Sequence, residues 1–264
     1  MSEFKSKTDT ELYALGLRTK PHLSSVPASR TNNESRFDFR SVTFSYKKSC
    51  NIKILDIDAL ELPAGAVVGI IGENEAGKST FAGCPCGLEK RMGGNILYKG
   101  NTLTSKDRIK LCYMVMQNVN YRLFTESVWD ELMLSTEKSN LNESEREAKT
   151  EAILKKLDLS EYKDRHPMPL SGGQKQRVSI ACALASDKEI LIYDEPTSGL
   201  DYHHMVDFAN LTKDTQQLGK TQIIITHDPE LIGDALMFFE NGRVLWHKAA
   251  DADAIAMLQH FFAL

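Results

Sequence analysis

The 264-residue sequence contains no apolar run that approaches the about 18–20 residues needed to cross a bilayer. Its first residues, Met1 to Lys5, lack the apolar core of a secretory signal peptide. Positive charge is not in excess either, because 32 basic and 36 acidic side chains give a net charge of −4. Such a balance provides no global basic field for nucleic acid. These absences predict a cytosolic chain with no nucleic-acid partner, whose contact with a membrane runs through another protein.

Cysteine is scarce and irregularly placed. Five scattered cysteines, an odd number, argue against a disulfide framework in a cytosolic chain. Cys84 and Cys86 are one residue closer together than a C-x-x-C pair, and no second pair follows. We therefore interpret these residues as buried thiols rather than as metal ligands.

Composition is that of an ordinary globular protein, with 42% hydrophobic and 26% charged residues. Residues 1–36 are polar and are predicted to be a tail or linker. Residues 37–248 form the predicted main domain, and residues 249–264 end in an apolar segment predicted to be a helix packed on the rest. The length allows one large domain with accessory pieces.

A short β-branched run, Ala66 to Ile71, leads into a glycine-containing loop. The spacing of Gly72, Gly77, Lys78 and Ser79 fits the phosphate loop G-x-x-x-x-G-K-[ST], or Walker A motif. Glycines let backbone N–H groups face phosphates, the lysine supplies a cation, and the serine hydroxyl is a ligand for Mg²⁺. The predicted nucleotide contacts of this loop are Gly72, Glu73, Asn74, Glu75, Ala76, Gly77, Lys78, Ser79 and Thr80.

Predicted strands alternate with predicted helices along the rest of the chain, which indicates an α/β fold with a mainly parallel sheet. The predicted strands cover 37–46, 52–62, 93–100, 111–115, 190–193 and 221–225, with a hairpin at 236–239 and 243–246. The predicted helices cover 80–88, 126–160, about 172–185 and 202–217. Asn142 and Ser144 are alternative caps within the second helical region.

Several motifs together resemble the nucleotide-binding subunit of ATP-binding cassette (ABC) transporters. The resemblance covers about residues 37–246 and rests on the phosphate loop, Gln117 after a strand, Leu170–Gln174, Tyr193–Pro196, Ser198–Asp201 and His227. It implies a P-loop NTPase (RecA-like) fold with an antiparallel β subdomain and a helical subdomain inserted at about 118–182. The cofactors that it implies are ATP and Mg²⁺.

The acidic pair and the histidine have expected roles in ATP hydrolysis. Asp194 ends a buried strand and is placed to hold Mg²⁺ through its water shell, while Glu195 is the candidate general base. His227 ends another strand, where α/β folds gather active-site groups. The resemblance implies that His227 senses the γ-phosphate and that Gln117 contacts Mg²⁺ or the attacking water.

The remaining family positions imply a dimer. By resemblance, Tyr46 stacks on adenine. The signature segment Ser171, Gly172, Gly173 and Gln174 opens a helix and grips the γ-phosphate of ATP bound to the opposite subunit. Asp201 lies along the same interface. Two ATP molecules are thus expected between two ABC subunits of the same or different kind.

The segment Gln117 to Glu131 is similar to that of energy-coupling factor ATPases, with Arg122 in place of the usual glutamine. Such ATPases drive uptake of vitamins or of cobalt and nickel ions. Their partners are a transmembrane coupling subunit and a substrate-binding membrane protein, so the expected location is peripheral, on the cytoplasmic face of the cell membrane. The tail 1–36 resembles the join after a first cassette, which suggests the second half of a tandem protein.

Two residues depart from the family pattern. Glu75 stands where glycine is usual, so a Cβ is forced on a loop position that can need positive φ, at a cost of about 1 kcal/mol. Its carboxylate would also repel phosphate by about 3 kcal/mol at ~5 Å and an effective dielectric of about 20. Pro85 interrupts the helix after the loop and predicts a short or kinked helix.

The sequence is therefore compatible with three function classes. The first is the ATPase motor of an importer. The second is a poorly hydrolysing nucleotide-binding partner in a heterodimer, since Glu75 is expected to weaken ATP binding or turnover. The third is an ABC protein of translation or DNA repair, which usually has two cassettes or a long coiled coil that this sequence lacks.

Overall fold

A computed structural model describes residues 36–46, 53–119, 123–228, 231, 233–251, 253–254 and 257. Residues 1–35 of the predicted tail, Arg122 and most of the predicted C-terminal helix lie outside these residues, and Arg36, the last residue of the predicted tail, belongs to a strand. Within this part of the chain, no helix has the length and apolar character needed to span a membrane.

The described elements follow one another in the order expected for an α/β chain. They are β1 (Arg36–Phe44), β2 (Leu55–Pro63), β3 (Val67–Gly72), α1 (Lys78–Gly83), β4 (Gly93–Tyr98), β5 (Asn101–Thr102), α2 (Ser105–Leu111), β6 (Cys112–Val115), α3 (Val128–Thr136), α4 (Glu143–Lys156), α5 (Gly172–Ala185), β7 (Ile190–Asp194), α6 (Tyr202–Gln217), β8 (Thr221–Ile225), β9 (Ala235–Glu240) and β10 (Arg243–Ala249). A short 3₁₀ turn, Ser160–Tyr162, follows α4.

Two sheets form the frame. The larger has six strands in the order β10-β9-β3-β8-β7-β6, parallel except for the β9–β10 hairpin. The smaller is antiparallel with the order β2-β1-β4-β5. The carboxyl ends of β3, β7 and β8 therefore lie side by side, which is where ligands bind in open parallel sheets.

Aliphatic strands hold this edge in place. Every residue of β3, β7 and β8 is buried, as expected for a parallel sheet covered on both faces. One core cluster joins the two sheets around Phe39, Phe81 and Phe239, and a second packs the helices against the other face of the large sheet. The α/β class, the antiparallel β subdomain and the mainly parallel sheet are confirmed.

Local signals explain where helices begin. Asn142 caps α4 and exchanges backbone and side-chain hydrogen bonds with Glu145, so the first of the two predicted caps is correct. The single helical region expected over 126–160 was wrong in extent, because it is divided into α3 and α4. Ser127 caps α3 by accepting a hydrogen bond from the backbone of Asp130.

Two further boundaries differ from the sequence expectation. The strand expected over 111–115 begins at Cys112, because Leu111 is the last residue of α2. That helix was not predicted, although Thr104 and Asp107 form a capping box at its start. The helix expected over 80–88, short or kinked because of Pro85, is indeed short, but its bounds were wrong: the six-residue α1 begins at Lys78 and ends at Gly83, before Pro85.

Candidate active site

The phosphate loop lies between the end of β3 and the start of α1. Lys78 is 6% exposed, and its Nζ donates hydrogen bonds to the carbonyl oxygens of Gly72 at 2.7 Å and Glu73 at 2.6 Å. Burial lowers the pKa of Lys78, while the carboxylates of Glu195, Asp194 and Glu73 act in the opposite direction. The loop thus folds around its own lysine, which points back along the loop.

Two glycines of the loop are required by geometry. Gly77 has φ +97°, a left-handed conformation that L side chains rarely adopt. A Cβ on Gly72 would lie 2.0 Å from the carbonyl oxygen of Phe239 in the neighbouring strand β9. These contacts explain why the motif needs glycine at both places.

Gly72→Ala is expected to destabilise the fold strongly, because the obstacle to the new methyl group is backbone that cannot rotate away. Overpacking of this kind typically costs about 1–3 kcal/mol, and we expect the upper end. Chemical denaturation measures the loss, with Gly100→Ala as the control. Gly100 also has positive φ, but no atom lies within 4 Å of an added Cβ. Equal losses of stability in the two variants would mean that the close approach of Gly72 to Phe239 does not contribute to the destabilisation.

Glu75 adopts φ +64°, as its replacement of a glycine suggested. Its side chain is exposed and lines the nucleotide-sized cavity described below. The expectation of a strained non-glycine residue in this loop is therefore confirmed in its backbone geometry.

A buried arginine that was not predicted as a site residue stabilises the C-terminal end of α1, the short helix after the phosphate loop. Arg108 of α2 is 7% exposed and donates from Nη1 to the carbonyl oxygen of Cys84 at 2.6 Å, just after α1 ends. A buried cation at the carbonyl end of a helix stabilises its dipole. Among the described residues, Cys84, Cys86, Cys112 and Cys182 are buried and form no disulfide, in agreement with their interpretation as structural thiols.

The acidic pair lies at the end of β7. Asp194 is 6% exposed, and this burial raises the pKa of its carboxyl group. Glu195 follows with φ +49°, and its backbone N–H donates to the carbonyl of Ile225 in β8 at 2.9 Å. The main chain of Glu195 is thereby held at the sheet edge while its side chain extends from it.

Two predicted site residues reach the Glu195 carboxylate from different strands. Gln117 Nε2, beyond the end of β6, donates to Glu195 Oε2 at 2.9 Å. His227 Nε2, beyond the end of β8, lies 3.5 Å from Glu195 Oε1. Two side chains that are far apart in sequence, Gln117 and His227, thus converge on the carboxylate of Glu195.

A cavity of about 660 Å³ joins these groups to the phosphate loop. Tyr46 lies at its rim, 59% exposed, and its hydroxyl is 3.2 Å from the hydroxyl of Thr80. The backbone carbonyl of Tyr46 accepts a hydrogen bond from Arg91 at 2.8 Å. The cavity is lined by Tyr46, Ile54, Asn74, Glu75, Gly77, Lys78, Ser79, Thr80, Gln117, Glu195 and His227. Of these, Ile54 was not predicted, because one apolar residue in a strand-like run gives no signal.

The donor set beside Lys78 fits a hard divalent cation. Ser79 bonds through its side chain to Asp194, which brings a hydroxyl and a buried carboxylate together, and Gln117 adds an amide oxygen nearby. Oxygen ligands of this kind, together with phosphate oxygens and water, are what Mg²⁺ prefers. The predicted set Ser79, Gln117 and Asp194 is therefore chemically suited to Mg²⁺.

The signature segment stands apart from this cavity in the single chain. Ser171 caps α5, accepting from the backbone of Gln174 at 3.3 Å while the Gln174 side chain accepts from the Ser171 backbone at 2.8 Å. An added Cβ on Gly173 would lie 2.8 Å from the carbonyl oxygen of Gly199. None of Ser171, Gly172, Gly173 and Gln174 is among the residues that line the cavity.

Asp201 caps the start of α6, two residues after Gly199, whose carbonyl oxygen faces Gly173. Its Oδ1 accepts from the backbone N–H of His204 at 3.0 Å and lies 2.8 Å from His204 Nδ1. These hydrogen bonds hold the pKa of the Asp201 carboxyl below its usual range. The partnership with His204 was not predicted, although an aspartate three residues before it at a helix start is a signal for a cap.

Comparison with known proteins agrees with this geometry. Residues 55–198 match the family described as ABC transporter. A protein of Treponema denticola, described only provisionally as an ABC transporter ATP-binding protein, is 36% identical over 235 residues, covering 87% of this chain and 47% of the relative. One of Methanocaldococcus jannaschii, similarly described, is 36% identical over 202 residues, covering 73% of this chain and 72% of the relative. The chain spans about half the length of several curated relatives that it matches.

Solved structures give the same result. CbiO1 of Clostridium perfringens, described as part of the ABC transporter complex CbiONQ, aligns with a TM-score of 0.73 and 27% identity, covering 86% of this chain and 93% of that protein. The dimeric cassette MJ0796 aligns with a TM-score of 0.72 and 26% identity, covering 82% of this chain and 99% of the cassette. The family match extends over more than half of the sequence and includes the phosphate loop and the acidic pair. This chain therefore belongs to the ABC transporter family of ATP-binding proteins.

Proposed function

We propose that this chain is the ATP-binding and ATP-hydrolysing subunit of an ABC importer of the energy-coupling factor type. The observation that carries the proposal is the convergence of Gln117 and His227 on Glu195 beside the phosphate lysine, in one cavity. A phosphate-binding loop joined to an oriented carboxylate is the equipment for attack of water on a terminal phosphate.

The chain's own residues divide the work of hydrolysis. The backbone of the phosphate loop and Lys78 hold the phosphates, so Lys78 exchanges its carbonyl partners for phosphate oxygens when nucleotide enters. Mg²⁺ held near Ser79 and Asp194 would neutralise phosphate charge. Glu195 accepts a proton from the attacking water, Gln117 fixes the carboxylate, and His227 contacts the terminal phosphate.

The active unit that we propose is a dimer with two composite ATP sites. The signature segment lies outside the cavity of its own chain, yet its first helical turn offers backbone N–H groups to an anion. In the proposed dimer, Ser171, Gly172, Gly173 and Gln174 of one subunit bind the γ-phosphate held by the other, with Asp201 along the contact. The dimeric state described for MJ0796 supports this arrangement.

The importer type is supported by two independent features. The segment from Gln117 to Glu131 is similar to that of energy-coupling factor ATPases, and CbiO1, a structural neighbour, is part of a CbiONQ transporter complex. We therefore propose a transmembrane coupling subunit and a substrate-binding membrane protein as partners. Their cargo would be a vitamin or a metal ion, and the chain would lie at the cytoplasmic face of the membrane. In this proposal, the helical insert at about 118–182 is the part of the chain that docks on these membrane partners.

Phe124→Ala is expected to weaken capture of the membrane subunit. Phe124 is 72% exposed, while its backbone is held in place because the buried Glu131 carboxylate accepts from the backbone N–H groups of Phe124 and Thr125. An exposed aromatic side chain on a fixed backbone is suited to be a binding hot spot, and truncation of a hot spot costs about 2 kcal/mol, or about 30-fold in affinity. Co-purification from detergent extract measures the loss, with Leu218→Ala, 75% exposed at the end of α6, as the control. Unchanged capture would remove Phe124 from the contact.

The central test is recovery of the partner together with activity. The tagged full chain is co-expressed with its genomic neighbours, extracted in mild detergent and assayed for ATP hydrolysis. Recovery of a transmembrane coupling subunit, with ATP turnover by the complex, supports the proposal. Recovery of ribosomes or DNA instead would favour the alternative class of ABC proteins. The observation that favours a poorly hydrolysing partner is Glu75 at φ +64°, and a complex that binds ATP with no measurable turnover would support that second candidate.

A further inference from the structure

Glu75 is a charged residue of the cavity with no role in the mechanism above. Glu75 and Glu195 are the acidic side chains that line this cavity. Glu195 accepts a hydrogen bond from Gln117, whereas no described residue forms a hydrogen bond or ion pair with the Glu75 carboxylate. The exposed carboxylate therefore remains available to act on whatever enters the cavity.

The positive charge of Lys78 also does not offset the negative charge of Glu75. The Lys78 ammonium is engaged by the carbonyls of Gly72 and Glu73, and the carboxylates that act on it are those of Glu195, Asp194 and Glu73. Glu75 is not among them. A nucleotide bound on this loop thus meets one uncompensated negative charge close to its phosphates.

We propose that Glu75 is a charge-selecting residue, which disfavours metal-free nucleotide more than its Mg²⁺ complex and so increases the dependence of nucleotide binding on Mg²⁺. The inference rests on the proposed function, because it assumes that ATP occupies this cavity. The physical reason is that Coulomb repulsion grows in proportion to the charge of the ligand, and one divalent cation cancels two charges of the triphosphate. A loop with glycine at this position lacks this repulsion.

Backbone strain at Glu75 could also weaken nucleotide binding, so the experiment must distinguish strain from charge. At φ +64° any residue with a Cβ is strained, and strain affects every ligand alike. Glu75→Gln keeps the strained backbone and removes the charge. Glu75→Gly removes both. A charge effect therefore appears in both variants, whereas a strain effect appears in the glycine variant alone.

The experiment measures dissociation constants of ATP for the full chain by calorimetry, once with excess Mg²⁺ and once with EDTA. Wild type, Glu75→Gln and Glu75→Gly are compared with Glu151→Gln, which removes the same charge from an exposed position of α4. We expect Glu75→Gln and Glu75→Gly to tighten metal-free ATP about fivefold and the Mg²⁺ complex about twofold, because halving the charge of the ligand halves the repulsion energy. The control is expected to match wild type.

The salt dependence of ATP affinity is a second measurement, and a purely structural effect would not change it. The Debye length falls from about 10 Å at 0.1 M to about 3 Å at 1 M salt, so the difference between wild type and Glu75→Gln in metal-free ATP affinity should shrink by more than half. Equal tightening with and without Mg²⁺, or tightening in Glu75→Gly alone, would overturn charge selection while leaving ATP binding intact. Failure of wild type to bind ATP under either condition would overturn the proposed function and this inference together.

Discussion

Replacing Glu195 with glutamine is expected to lower the ATP turnover rate by a factor of about 10²–10⁴, the usual contribution of a positioned general base. The amide is nearly isosteric with the carboxylate but does not accept a proton from water at neutral pH. The surroundings should change little, because the backbone N–H of Glu195 still donates to Ile225 and one side-chain oxygen remains. Nucleotide binding is therefore expected to persist, and unhydrolysed ATP should hold the dimer together.

Two measurements on the complex check this expectation. Steady-state phosphate release gives the turnover rate, and gel filtration with ATP and Mg²⁺ gives the fraction of trapped dimer. Glu147→Gln, an exposed position on α4, serves as the control for loss of one carboxylate. A variant that keeps more than about a tenth of wild-type turnover would mean that the proton is accepted elsewhere, since a general base contributes at least about 10²-fold.

Lys78→Met is expected to weaken binding of ATP with Mg²⁺ by about 100-fold, or about 2.7 kcal/mol. The substitution keeps an unbranched side chain of similar length in a site that is 6% exposed and removes only the cation. Hydrogen bonds to charged groups contribute about 1.5–3 kcal/mol, and in the proposed complex the lysine would make these bonds to phosphate oxygens. Its loss also leaves Asp194 and Glu195 without a cation that acts on both.

Calorimetric titration measures this loss, with Lys155→Met on an exposed turn of α4 as the charge-matched control. Chemical denaturation of both variants separates lost affinity from lost stability, because the carbonyls of Gly72 and Glu73 also lose a donor. Binding within threefold of wild type would show that the backbone of the loop alone holds the phosphates.

Much of the fold was predictable because its signals are local. The β-branched runs before Gly72 and Asp194 predict buried strands, and both are buried throughout. The Asn142–Glu145 capping box and the break caused by Pro85 likewise act within a few residues. The division between α3 and α4 was missed because polar residues in a helical region resemble a solvated helix face as well as a connection.

The candidate site was predictable in composition but not in arrangement. Spacing was enough to name the phosphate loop, and the resemblance to ABC transporters added Asp194, Glu195 and His227. Neither the hydrogen bond from Gln117 to Glu195, which are 78 positions apart, nor the hydrogen bond from Arg108 to the end of α1 could be predicted from spacing. Side-chain pairs of this kind depend on strand order, and strand order follows from packing of the whole chain rather than from any window of it.

The sequence by itself determined which chemical groups this protein brings to the candidate site, namely the residues of the phosphate-loop motif, the two carboxylates and the histidine, because these are properties of residue type and spacing. Tertiary structure decided three matters that residue type leaves open. It placed the ends of β6, β7 and β8 side by side, it excluded any Cβ at Gly72, and it left the Glu75 carboxylate exposed at the cavity with φ +64°. The physical reason is that distances and dihedral angles between remote segments are set by the packing of the two sheets and their helices, which no local pattern encodes.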